Sequence, residues 1–299
     1  ERANPRKTNS QTCQDGHRRN RTAFNCSRCD KTWSPALTNI ADPKHQQDAE
    51  FATYLATETG KHLVALRNEL VKRGFYGWDL KDAGDAMAQE FLMTQLREHR
   101  PNDAVLSEEA TDSTARLSAE RVWIIDPLDG TQEFSEPERQ DWAVHVALWQ
   151  RDETNKGDLV AGAVSLPAIE LTLSTNPPHV APDKQDRPPR LVTSRTRTPR
   201  EAVIVANALG CDAMRLGSAG AKAMSVVLGE CDIYLHSGGQ HQWDSAAPVA
   251  VARAAGFFTS RIDGSPLIYN DSDTWLPDLI ICRADLAESV LTALHKSVR

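Results

Sequence analysis

No run of about eighteen apolar residues occurs anywhere in this 299-residue sequence, so no membrane-spanning helix is expected. The opening residues, ERANPRKTNS, hold no apolar stretch, and no secretory signal is read from them. An excess of positive charge is also missing. The formal net charge is -7 and the pI is ≈ 5.7, which argues against nucleic acid as a main partner. Cysteine is scarce: of the six, Cys211, Cys231 and Cys282 stand isolated in apolar or helix-like context. They read as buried thiols of a reduced, cytoplasmic protein, not as a disulfide frame.

Aliphatic side chains are nearly absent from the first 45 residues, where Leu37 and Ile40 are the only Leu, Ile or Val. That segment carries nine Lys or Arg against four Asp or Glu, net +5, which leaves -12 on the remainder. It buries too little apolar surface to offset the entropy of ordering, so residues 1–45 are expected to form a basic, disordered tail. An alternative of another class treats this tail as a zinc-binding interaction module, with Cys13, His17, Cys26 and Cys29 as four ligands. Its Cys-x-x-Cys half suits zinc and its Cys-x3-His half does not.

From about residue 46 the pattern tightens. Phe51, Leu55, Leu63, Leu66 and Leu70 repeat at helical spacing, and Gly74 supplies a stop. A second helix carries Met87, Phe91, Leu92 and Leu96 on one side. AVL (104–106) and VWII (122–125) suit buried strands, and WAVHVALW (142–149) alternates as a strand with two different faces would. LVAGAVSLP and ELTLS continue the strand-rich section. NPPHVAPDKQDRPPR (176–190), with five prolines, is a linker. Beyond it, helices are expected to start at Ser218, Asp244 and Asp285, each a good N-cap residue. The pattern implies an α+β half over residues 46–180, carrying the metal site, and an α/β half over 181–299, the two sharing one cleft.

Carboxylates gather at the ends of these elements. VLSEEATD places Glu108 and Glu109 after a strand, and IIDPLDGT places Asp126 and Asp129 after another. QWDSAAP sets Asp244 at the mouth of a helix, and DLKDAGDAM sets Asp79, Asp82 and Asp85 at a helix entry. Singly, such residues are commonly caps or solvated pairs. The Asp-Pro-Leu-Asp-Gly-Thr turn is different, because a bend is needed before Asp129 can approach Asp126, and Pro127 and Gly130 allow it. Two carboxylates about 4 Å apart repel by roughly 1 kcal/mol in water and about 4 kcal/mol at a protein-like dielectric, so a cation is expected between them. Clustered carboxylates with no His or Cys nearby suit Mg²⁺ or Mn²⁺ rather than zinc. Shared between two ions, they form the usual arrangement for attacking a phosphate ester. Gly130 and Thr131 offer backbone N–H groups at a helix start, where phosphate binds readily.

DPLDGT together with WDSAAP resembles the inositol monophosphatase superfamily, over roughly residues 47–297. DGTQEF and GSAGAKAM (217–224) look most like its 3′-phosphoadenosine-5′-phosphate (PAP) phosphatases, as does the run VLSEEA…RVWIIDPLDGT…DWAVHVALW, which is closest in pattern to the actinobacterial ones. The resemblance implies a five-layered αβαβα sandwich and lithium-sensitive, Mg²⁺-dependent removal of the 3′-phosphate in sulfur assimilation. It also allows activity on inositol phosphates or fructose 1,6-bisphosphate, and a homodimer. It implies two or three metal ions, with Glu108, Asp126 and the Leu128 carbonyl on the first and Asp126, Asp129 and Asp244 on the second. Asp85 and Thr131 would orient and deprotonate the attacking water, although the family's Thr or Ser before that aspartate is here Asp82. Ser194 and Arg197 of VTSRTRTP, with Ser218 and Lys222, would face the nucleotide's second phosphate. For Arg197 and Lys222 the alternative is a solvated surface cation.

Overall fold

The computed structural model describes residues 48–153 and 156–296. The proposed zinc ligands Cys13, His17, Cys26 and Cys29 lie outside them. The first helix, α1 (Asp48–Lys72), buries Phe51, Leu55, Leu63, Leu66 and Leu70, each contributing about 1.5–3 kcal/mol by leaving water. Helix α2 (Trp78–His99) packs against it and buries Met87, Phe91, Leu92 and Leu96.

Both helices cover one face of a five-stranded sheet. Its strands are β1 (Ala104–Ser107), β2 (Arg121–Asp129), β3 (Ala143–Gln150), β4 (Asp158–Leu166) and β5 (Leu171–Ser174), in that spatial order. β1 runs parallel to β2, and every later pair is antiparallel. β3 departs from the two-faced strand expected: Ala143 to Trp149 are all buried. It is a central strand with α1 on one side and the middle helical layer on the other, so no side of it meets water.

That middle layer is α5 (Ala219–Val227) and α6 (Gln242–Ala254). The face of α6 is built of Ser245, Ala246, Ala247 and Ala250, small enough for the helix to lie between two sheets. The second sheet has the order β7-β6-β8-β10-β9, from β6 (Arg190–Ser194), β7 (Asp212–Leu216), β8 (Ile233–His241), β9 (Phe258–Ser260) and β10 (Trp275–Cys282). Its outer face carries α4 (Arg200–Leu209) and α7 (Ala287–Lys296), joined to it through Leu191, Val205, Ile233, Ile280 and Val290. The layering is the αβαβα sandwich. The described residues all fall in one compact unit.

Three local expectations change. The α6 helix starts at Gln242 with His241 as its N-cap, and Asp244 sits inside the first turn. The final helix begins at Ala287 after a 3-10 turn over Ala284–Leu286. Cys211 is half-buried, while Cys231 and Cys282 are buried, and all three are free thiols. Among the described residues, no helix is long and apolar enough to cross a membrane.

Candidate active site

β2 pairs Asp126 with His145 and Asp129 with Ala143, so three steps along β2 match two along β3. This one-residue irregularity returns Asp129 to the face that Asp126 and His145 share, against the alternation of a regular strand. The chain then turns at Gly130 (φ 86), a left-handed conformation that suits glycine, into the one-turn helix α3 (Thr131–Phe134).

Asp126 is 1% exposed. One carboxyl oxygen accepts the Leu128 N–H at 3.1 Å, and the other, Oδ2, is buried with no hydrogen-bond partner. Burial pushes its carboxyl well above the usual range, and the charges of Glu108, Asp129 and Asp244 push the same way. Glu108, at the end of β1, is raised to about 7 by burial and then by the charge of Asp244. Asp244 is raised to about 6 by burial and by Asp129, against the His241 N–H that its Oδ2 accepts at 2.6 Å. Acids from β1, β2 and α6 therefore repel one another across a shared space. Asp85 on α2 faces the same region; burial and then Glu109 and Glu108 raise it to about 7.

Asp129 behaves oppositely. Burial would raise its pKa, but His145, Lys222 and the Gly220 N–H lower it overall. Its two oxygens accept the backbone N–H groups of Ala219 at 3.1 Å and Gly220 at 2.6 Å, at the start of α5. His145 Nε2 lies 3.1 Å from Oδ2. The expectation of a carboxylate cluster with no histidine nearby is thus corrected. His145 was legible only through register: it sits opposite Asp126 in an otherwise apolar strand, where a lone histidine reads as core.

Oxygen-only donors, with a buried carboxylate oxygen left unpaired, fit a hard divalent cation. Among the described residues, no three His, Cys, Asp or Glu side chains converge closely enough to enclose an ion as they stand. Asp129 and Asp244 direct oxygens at backbone N–H groups instead. The Thr131 hydroxyl donates to the Leu128 carbonyl at 3.2 Å, not to Asp85.

The expected nucleotide contacts divide. Ser218 caps α5, its Oγ accepting the Ala221 N–H at 2.9 Å, and it abuts Gly130. Lys222 is buried, which removes the solvated-cation alternative; its ammonium donates to the carbonyls of Gly217 and Ser218. Arg197 is exposed and donates to the Ser237 carbonyl at 2.8 Å. Ser194 pairs with the Thr196 hydroxyl at 3.2 Å. Unforeseen supports of the Gly217 loop are Asp141, whose carboxylate accepts the Gly217 N–H at 2.6 Å, and Glu133, held by Arg195 at 2.7 Å.

With this geometry in view, the chain belongs to the inositol monophosphatase family, whose model matches residues 45–299. The family is metal-dependent. The chain is similar to the 3'-phosphoadenosine 5'-phosphate phosphatase of Mycobacterium bovis, 47% identical over 81% of this chain and 91% of that protein. It is 46% identical to the protein of the same name from Mycobacterium leprae, over 83% of this chain and 94% of that one. The crystal structure of CysQ from Bacteroides thetaiotaomicron shares the fold with a TM-score of 0.66 at 24% identity, covering 80% of this chain and 98% of that one.

Proposed function

We propose that this protein is a Mg²⁺-dependent phosphatase that hydrolyses the 3′-phosphate of PAP to give AMP and phosphate, in the cytoplasm and in service of sulfur assimilation. The observation that carries the reading is the 47% identity to a mycobacterial PAP phosphatase over 81% of this chain. In this reading Glu108, Asp126 and the Leu128 carbonyl hold one Mg²⁺ ion, and Asp126, Asp129 and Asp244 hold the other. When bound, the ions supply charge neutralisation for the phosphate and acidify the attacking water.

The remaining work falls to this chain's own groups. Asp85, its carboxyl raised to about 7, is poised to take the proton of that water near neutral pH. Thr131 Oγ1 accepts from the water and orients it, while its hydroxyl donates to the Leu128 carbonyl. The backbone N–H groups of Gly130 and Thr131 receive the phosphate undergoing cleavage. Arg197, exposed on the Ser237 carbonyl, supplies a guanidinium for the second phosphate, flanked by Ser194. Ser218 and Lys222 act on that side by fixing the loop before α5.

The test is a comparison of turnover on PAP, inositol 1-phosphate and fructose 1,6-bisphosphate with Mg²⁺ at one enzyme concentration. PAP is expected to give the highest kcat/KM. Faster hydrolysis of inositol 1-phosphate would assign the site to the other substrate class of the same fold.

A further inference from the structure

We infer that His145 is a positioning residue that ties the Asp129 carboxylate to the segment carrying Asp244, and so sets the affinity of the site for divalent cations. This rests on the metal-dependent reading above. The ring is fully buried on β3 between Val144 and Val146, where an imidazole without partners would be costly. Nδ1 lies 3.2 Å from the carbonyl of Trp243, the residue directly before Asp244. A carbonyl only accepts, so Nδ1 donates and the ring's orientation is fixed. Nε2 then lies 3.1 Å from Asp129 Oδ2, an ion-pair contact of the protonated ring rather than a well-aligned hydrogen bond, and the same oxygen accepts the Gly220 N–H at 2.6 Å.

The third neighbour underlines how closely this is built. A Cβ on Gly220 would stand 2.3 Å from His145 Nε2, so the start of α5 closes over the ring only because residue 220 lacks a side chain. One imidazole thus touches the end of β2, the start of α5 and the start of α6. Two of these segments carry proposed metal ligands. The groups behind metal ligands hold them in register, and losing one typically costs about 10- to 100-fold in metal affinity or activity.

Two substitutions separate positioning from packing. In His145→Asn the amide reaches the place of Nδ1, keeping the Trp243 contact and losing the one to Asp129. In His145→Gln the amide nitrogen reaches the place of Nε2 and restores the contact to Asp129. Binding of Mn²⁺ to the metal-stripped full-length protein is read by electron paramagnetic resonance, without substrate. His145→Asn is expected to raise the Mn²⁺ dissociation constant by about 10-fold or more, and His145→Gln to recover most of the loss. Unchanged Mn²⁺ binding in His145→Asn would overturn the inference, as would a His145→Gln protein no better than His145→Asn. If the unsubstituted protein bound no Mn²⁺, the metal reading would fall together with it. Loss of PAP turnover in the substrate comparison, with the Mn²⁺ pattern intact, would instead fault the substrate assignment alone.

Discussion

Lys222 lies 4% exposed beneath the start of α5, its ammonium donating to two backbone carbonyls and standing 5.5 Å from the Tyr234 ring centroid. Burial lowers its pKa, and the charges of Asp129 and Glu133 oppose that. In GSAGAKAM a lysine after glycines reads as a phosphate clamp or a surface cation. Nothing in the spacing reveals that the side chain folds back under its own loop. Lys222→Met keeps the volume but leaves the part-buried Gly217 carbonyl unpaired and the Ser218 carbonyl with only the backbone N–H of residue 222, at a cost of about 1–3 kcal/mol. Urea denaturation of the variant is expected to show that loss at an unchanged m-value. An unaltered midpoint would mean the ammonium braces nothing and is free to meet substrate.

Among the elements, α1 is anchored at its first residue by charge. Arg121 of β2 donates to both Asp48 oxygens, at 2.8 and 2.9 Å, and Arg100 adds a longer contact at 3.4 Å. Burial alone would raise the Asp48 pKa, but the hydrogen bonds and charge of Arg121 and then Arg100 lower it overall. A carboxyl depressed in the folded state adds stability that is fully present above its unfolded value and lost as pH falls through its folded one. Asp48→Asn is therefore expected to lower the denaturation midpoint at pH 7, with the gap to the unsubstituted protein closing below about pH 4. A gap of equal size at pH 7 and pH 3 would assign the effect to packing.

The order of elements was readable because each buried stripe repeats at its own period. Leu55, Leu63, Leu66 and Leu70 could only face a core from a helix. The burial of Ala143 to Trp149 on both faces of β3 was not readable, since it depends on α5 and α6, which lie far along the chain. Asp244 illustrates the same limit. Its place near the start of a helix was legible, but its position inside the first turn, accepting the His241 N–H, was set by where β8 ends.

For the whole molecule, the site exists because the sandwich brings distant ends together. β1 and β2 deliver Glu108, Asp126 and Asp129 from the first sheet. α6, packed between both sheets, delivers Asp244. The chain's net charge of -7 adds to the cost of this gathering, and its signature is the raised pKa of Glu108, Asp126 and Asp244, from burial first and neighbouring carboxylate charge second. Two motifs far apart in the chain pointed to carboxylates that feel one another's charge in the fold. The histidine between them was hidden, because a cross-strand partner is a property of register and not of sequence spacing.

The most direct measurement is phosphate release from PAP by the metal-stripped protein as Mg²⁺ is added back, for the unsubstituted chain and for Asp126→Asn. The stripped protein should be silent and recover with Mg²⁺, whereas Asp126→Asn, which removes the charge proposed to serve both ions, should stay inactive at every Mg²⁺ concentration. Full turnover without any divalent cation, or near-normal recovery by Asp126→Asn, would contradict the account.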